Sequence, residues 1–252
     1  MKVLSKSRFK VGLECPNKLY YTFHKDHYPN VKQEDTFLLS LAQGGFQVEE
    51  LARMHFPGGQ LIDTPLYDYQ GAVDQTKELL LQDEVVIYEA AFLWDGLFIR
   101  TDILEKKGNH LRLIEVKAKL FDSLDDYAFV GTRGKIVSSW KPYLFDLAFQ
   151  AYVVKKAFPE YHVTSHLMMA DKHKAATVDG LNQMFRVPKA GEGDQRKGIA
   201  KSVTSLEETG ESILVIKNLS SLIDEIHEDQ HSILPGHSFE SGIQFLKETY
   251  QS

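Results

Sequence analysis

Residues 84–118 read EVVIYEAAFLWDGLFIRTDILEKKGNHLRLIEVKA, and the reading of this stretch decides the fold. Glu84 to Trp94 is rich in β-branched and aromatic residues, which suit a half-buried pleated surface. Asp95-Gly96 can adopt the left-handed conformations that a two-residue hairpin turn demands. Leu97 to Glu105 is the next strand, Lys107-Gly108-Asn109 the next turn, and His110 to Ala118 the third strand. The expected unit is a three-strand antiparallel meander.

Outside the meander the spacing of apolar residues changes to that of helices. Ser5 to Phe23 reads as two short helices, with Pro16 at the start of the second, where its missing N–H has no intrahelical partner to lose. Glu34 to Met54 places Phe37, Leu38, Leu41, Val48 and Leu51 at helical intervals, with an interruption at Gly44-Gly45 and a stop at Pro57-Gly58-Gly59. Asp68 to Gln82, Pro142 to Phe158 and Ser220 to Glu228 read as further helices, and Tyr161 to Ala170 as a strand. Ala190 to Lys201 is polar and glycine-rich and reads as a loop. Helices, a meander, a helix and a strand in that order predict an α/β fold with a mixed β-sheet core flanked by helices. The expected organisation is a domain over residues 1–190 that includes the N-terminal helical segment. A glycine-rich loop and a C-terminal helical segment follow over 191–252. From Gly236 onward another element begins, as in the first part of a longer chain.

A chain of 252 residues can bury about three quarters of its unfolded surface, so its folding needs no disulfide or metal. Its single cysteine, Cys15, can neither form an internal disulfide nor hold a zinc ribbon or iron–sulfur cluster alone, which fits a reducing cytosol. The N-terminus carries charge but no apolar run, and no stretch approaches the roughly 18 apolar residues of a membrane helix. The expectation is a cytoplasmic protein without a membrane partner. The net charge of -6 is unlike that of a basic nucleic-acid coat protein, yet a carboxylate cluster that holds cations is compatible with it.

Such a cluster is present in the meander. Glu89, Asp102 and Glu115 recur at equal spacing, one on each expected strand, among apolar neighbours where acidic residues are depleted. At matched depth on neighbouring strands their charges would repel unless a cation neutralised them. Oxygen ligands without thiolates suit Mg²⁺ or Mn²⁺. Lys117 follows Glu115 by two residues and so shares its strand face, where an ammonium can orient an attacking water or stabilise charge on phosphate. The bland reading of an isolated Glu-x-Lys is a solvated strand face. Asp102 and Glu89 are what set this one apart.

Asp102 followed by Glu115-Val116-Lys117 resembles the PD-(D/E)xK signature of metal-dependent nucleases. Glu89 upstream and Asp146 to Tyr152 downstream (DLAFQAY) make the chain similar to the RecB-like branch, which serves DNA repair and defence. Ser5-Lys6-Ser7-Arg8-Phe9 with Cys15-Pro16-Asn17-Lys18-Leu19-Tyr20 resembles the N-terminal nuclease region of a bacterial family of unknown function. The resemblance implies a restriction-endonuclease-like core. In it Asp102 and Glu115 are metal ligands, Lys117 is the catalytic lysine, Glu89 is an additional carboxylate and Gln150 is a helix glutamine over the site. Thr101 stands where proline is usual, and Val154 where a tyrosine often follows the glutamine, with Tyr152 nearby instead. Three of the four cysteines that hold an iron–sulfur cluster in many relatives are missing, so no cluster is expected. Glu49 lies where relatives often place a histidine. Lys119, Arg133 and Lys135 form a candidate basic strip for the phosphate backbone, against the alternative of a solvated surface. The expected function is hydrolysis of DNA phosphodiester bonds, with single-stranded or free ends favoured and Mg²⁺ or Mn²⁺ as cofactor. The alternative is a weak or inactive nucleic-acid-binding module of a larger protein.

Overall fold

The structure, a computed structural model, describes residues 2–24, 26–28, 36–186 and 199–252, with the side chains of 36–43 excepted. The chain opens with strand β1 (Leu4–Ser5), helix α1 (Lys6–Glu14) and helix α2 (Pro16–Phe23). Ser5 caps α1, its hydroxyl accepting from Arg8 N at 3.4 Å, and Pro16 takes the first turn of α2. Helix α3 (Thr36–Met54) runs unbroken through Gly44-Gly45, where an interruption was expected. A glycine inside a helix costs about 1 kcal/mol. Burial of Leu51 and Ala52 against Ile103, Ile114 and Val116 works in the opposite direction.

Strand β2 (Gln60–Leu61), helix α4 (Tyr69–Leu79, capped by Asp68) and the strands β3 (Glu84–Tyr88), β4 (Ala91–Trp94), β5 (Leu97–Arg100), β6 (Ile103–Lys107) and β7 (His110–Phe121) follow. Then come helix α5 (Lys141–Ala157), strands β8 (His162–Asp171), β9 (Phe185–Arg186), β10 (Ala200–Lys201) and β11 (Leu214–Asn218), and helices α6 (Ser220–His227) and α7 (Phe239–Gln251). Six strands form a mixed sheet in the order β11-β8-β7-β6-β3-β2, with β7–β8 and β2–β3 parallel and the other pairs antiparallel. A second core of α3 residues covers one face of this sheet, and the main core with α5 covers the other. The fold is thus a mixed α/β arrangement with sheets flanked by helices.

The meander departs from expectation in one respect that matters for the site. Its first two strands are each broken in the middle, so Glu89 and Asp102 are at bends and only Glu115 is mid-strand. Glu89 has a left-handed backbone (φ 59°), which a non-glycine residue rarely adopts. The hairpin stays paired across the bend: Glu89 N donates to Asp102 O (3.3 Å) and Thr101 N to Ala90 O (2.9 Å). It therefore turns as one piece. Its outer half, β4 and β5, leaves the large sheet and joins β1 in a three-stranded sheet of order β1-β5-β4.

The division expected at residue 190 falls outside the described residues, as does most of the glycine-rich segment before Ile199. The chain on either side of it shares one sheet, since β11 pairs along β8. Helix α7 returns to the beginning of the chain. Leu246 is fully buried, and a Cβ on Gly12 of α1 would come within 2.9 Å of its side chain. Leu246→Ala is expected to lower the unfolding free energy by roughly 2–5 kcal/mol, in one cooperative transition. A denaturant melt with two transitions, only the smaller one shifted, would show instead that the C-terminal helix is a separate unit.

Candidate active site

The bend in the hairpin brings a loop carboxylate to the flank of a central strand. The ladder between β6 and β7 ends at the Ile103–Ile114 pair. There Asp102 Oδ2 takes over as acceptor for Val116 N, at 2.7 Å. This bond holds Asp102 beside Glu115, whose side chain is fully buried in the middle of β7. Lys117 shares the face of Glu115 and bonds its Oε1. From α5, Gln150 Nε2 donates to Glu115 Oε2 at 2.9 Å. Asp146, one helical turn earlier, is also fully buried, with its Oδ2 3.3 Å from Lys117 Nζ.

The cation between the two central carboxylates is Lys6, the first residue of α1. Its Nζ is 3.1 Å from each oxygen of Glu115 and 3.4 Å from Asp102 Oδ1. A second cation, Arg53 of α3, holds Glu49 (2.5 Å), Glu50 (3.4 Å) and Glu89 (3.4 Å). The acidic residues are thereby divided into two groups. Among the described residues no three Asp, Glu, His or Cys side chains are gathered within one metal's ligand sphere.

Burial and the neighbouring charge of Glu115 push Asp102 up to about 6. Burial and the charge of Asp102 push Glu49 up to about 8. Burial acts in the same direction on Glu115, yet the ammonium groups of Lys117 and Lys6 hold it well below the usual carboxylate range. Both lysines are held above their ordinary value despite burial, Lys6 by Asp102 and Glu115 foremost, Lys117 by Glu115 and Asp146. Two atoms beside the site are buried without a hydrogen bond, Gln150 Oε1 and Asp146 Oδ2, the latter near Lys117 but outside hydrogen-bond geometry. Beside Asp102 a cavity of about 300 Å³ opens, with Lys6, Glu49 and Glu89 among the residues that line it. Phe46, Tyr69 and Phe98 supply aromatic surface to it.

Of the residues expected at the site, Asp102, Glu115, Lys117 and Gln150 are brought together. Glu89 is turned toward Arg53 but still lines the cavity. Tyr152 is not brought there. Two residues beyond Gln150 is about 200° around a helix, and the Tyr152 ring packs against Trp94 and Phe239. Lys119 lies over the rings of Trp140 and Tyr143, at 4.7 and 5.2 Å. Arg133 and Lys135 are exposed on the turn closed by the Val130–Ile136 bridge, with no contact to the carboxylates.

Lys6 and Asp146, though within the stretches that carry the resemblance, and Arg53 were not among the residues expected at the site. Lys6 had a local signal, because a lysine in the first turn opposes the helix dipole and needs an acidic partner. Asp146 had one too, being an acid between Leu144 and Leu147 on an otherwise apolar helix. Arg53 had none beyond its spacing from Glu49 and Glu50. Comparison with known proteins gave no match: no protein-family profile fits the chain, and no curated protein is similar to it.

The raised carboxylates make a prediction about pH. A folded chain that binds a proton more tightly than the unfolded chain loses stability as pH rises toward the folded value. His55, His166 and His227, which burial lowers, are deprotonated in both states only above about pH 7.5, one unit past their unfolded value. Between about pH 7.5 and 8.5, above the range of Asp102 and the histidines, the change falls on Glu49 and levels off past its folded value of about 8. With chelator present, the thermal midpoint should decline across that range, and Glu49→Gln should flatten the decline. An unchanged slope in the variant would refute the assignment.

Proposed function

We propose that this chain is a divalent-metal-dependent nuclease of the RecB-like branch of the PD-(D/E)xK superfamily, with a restriction-endonuclease-like core. Its substrate is DNA, with single-stranded or free ends favoured. One observation carries the reading: Asp102, at the bend before β6, and Glu115, in the adjoining strand β7, share a single cation position, and Lys117 bonds the same Glu115. The donor set fits Mg²⁺ or Mn²⁺, which use one or two carboxylates and complete their shell with water and substrate phosphate. Gln150 Oε1, buried beside it without a hydrogen bond, is a further oxygen that fits such a shell.

Asp102 and Glu115 would hold the metal, which when bound polarises a phosphate and lowers the pKa of its water. Gln150 and Val116 N fix the orientation of the two carboxylates through one hydrogen bond each. Lys117, steadied between Glu115 and Asp146, keeps a positive charge at neutral pH and presents it to the reacting phosphate or water. The cavity beside Asp102 has aromatic walls against which an unpaired base can pack. A duplex does not offer its bases in this way, so the cavity supports the preference for single strands. The basic residues Lys119, Arg133 and Lys135 lie outside this cavity and are assigned no step.

The Lys6 ammonium in the cation position favours a second reading, a module that binds nucleic acid without cleaving it. A degradation assay separates the two, with labelled single- and double-stranded DNA in Mg²⁺, Mn²⁺ or chelator. Metal-dependent loss of the single strand is expected. Lys117→Ala should slow cleavage by about 10²–10³ and leave Mn²⁺ affinity largely intact. Asp102→Ala should lose both. Full activity in Lys117→Ala would rule out this mechanism, and stable DNA under every condition would favour the binding module.

A further inference from the structure

We propose that Lys6 is the resident counter-ion of the Asp102–Glu115 pair in the metal-free protein. A divalent cation enters by displacing its ammonium, which then turns into the adjoining cavity and meets the phosphate of a nucleic-acid strand. The inference rests on the metal-dependent reading above and adds a residue to it. Lys6 Nζ is equidistant from the two oxygens of Glu115 and 3.4 Å from Asp102 Oδ1, so it stands where a cation shared by both carboxylates must stand. Two cations cannot occupy one such position. Lys117 does not face this choice, because its ammonium bridges Glu115 to Asp146, whereas that of Lys6 bridges Glu115 to Asp102.

Lys6 is built to move while its backbone is not. Leu4 is fully buried and pairs with Leu97, Ser5 pairs with Phe98, and Ser5 caps the helix, so the Cα of Lys6 is anchored from both sides. From that anchor extends a four-carbon stem with three rotatable donors. Its side chain is 21% exposed and already forms part of the cavity wall. Removing the ammonium without replacing its charge would leave two buried carboxylates facing each other, which is costly. Exchange for a divalent ion avoids that state. It also adds one positive charge to the site and frees another to face the strand.

The test is a set of calorimetric Mn²⁺ titrations on the wild type, Lys6→Met and Lys117→Met, with circular dichroism to verify folding. Lys6→Met should bind Mn²⁺ at least tenfold more tightly than the wild type, since its competitor is gone. Mn²⁺ should also raise its thermal midpoint more. Lys117→Met should show no such gain. Equal or weaker affinity in a folded Lys6→Met protein overturns the exchange while leaving the nuclease reading standing. No Mn²⁺ uptake by any of the three proteins overturns that reading and the exchange with it. Should Lys6→Met not fold, the wild type answers the question through ¹⁵N-lysine spectra. Mg²⁺ should abolish the slowly exchanging ammonium signal of Lys6 and spare that of Lys117, and a Lys6 signal unmoved at saturating Mg²⁺ overturns the exchange. The phosphate contact is read from the salt dependence of oligothymidylate binding in Ca²⁺. The slope of log K against log salt should be shallower by about 0.7 in Lys6→Met, and an unchanged slope removes the phosphate role.

Discussion

A single fully buried carboxylate, that of Glu115, governs how the parts of this protein fit together. Removing an ionised carboxylate from water costs several kcal/mol unless charges and hydrogen bonds compensate it. The compensation comes from three elements: Lys6 on α1, Lys117 on β7 itself and Gln150 on α5. Each of these groups must reach the same point. The N-terminal helix and the long helix after the meander are therefore tied to the centre of the sheet by polar contacts as well as by apolar packing such as the stacked Phe9 and Phe149 rings. Loss of any one donor would leave Glu115 under-compensated, so packing and electrostatics in this region are not separable.

The acidic residues form two groups because two cations of different stiffness divide them. Arg53 is planar and pre-organised, and it is held by three glutamates and by contact with the Tyr88 ring. Lys6 is a point charge on a flexible stem. The rigid cation serves the cluster around α3, and the adaptable one serves the pair at the sheet bend. Burial raises both Asp102 and Glu115, and the negative charges of Glu115 and Glu89 raise Asp102 further, while the ammonium groups of Lys117 and Lys6 hold Glu115 down.

Much of this was legible in the sequence, and the exceptions have physical causes. Turn residues at Asp95-Gly96 and Lys107-Gly108-Asn109 located the hairpins, and the Glu115–Lys117 spacing put both on one face. Gln150 could be placed over the sheet from the resemblance of its helix. The bends at Glu89 and Asp102 were hidden because a continuous run of β-formers gives no sign that a strand changes sheets. A left-handed glutamate has no compositional signature, unlike a glycine. The strand at Leu214–Asn218 had a signal in the apolar run Ile213 to Ile216 between Gly210 and Asn218, which the expected organisation did not use. Gly44-Gly45 misled in the other direction, since tertiary burial outweighed local propensity. Lys6 and Glu115 meet across more than a hundred residues of chain, so the local signal at Lys6 calls for an acidic partner without saying which.

The left-handed glutamate at the bend has a consequence for anyone who wishes to make this protein more heat-tolerant. A non-glycine residue in that conformation costs about 1–2 kcal/mol, which a glycine would relieve because it has no Cβ. At position 89 that replacement would also delete a carboxylate on the cavity wall and remove one of the three acids that hold Arg53. Thermal robustness and the chemistry of the cavity thus draw on the same residue. Selection in the laboratory for one would pull position 89 away from the other.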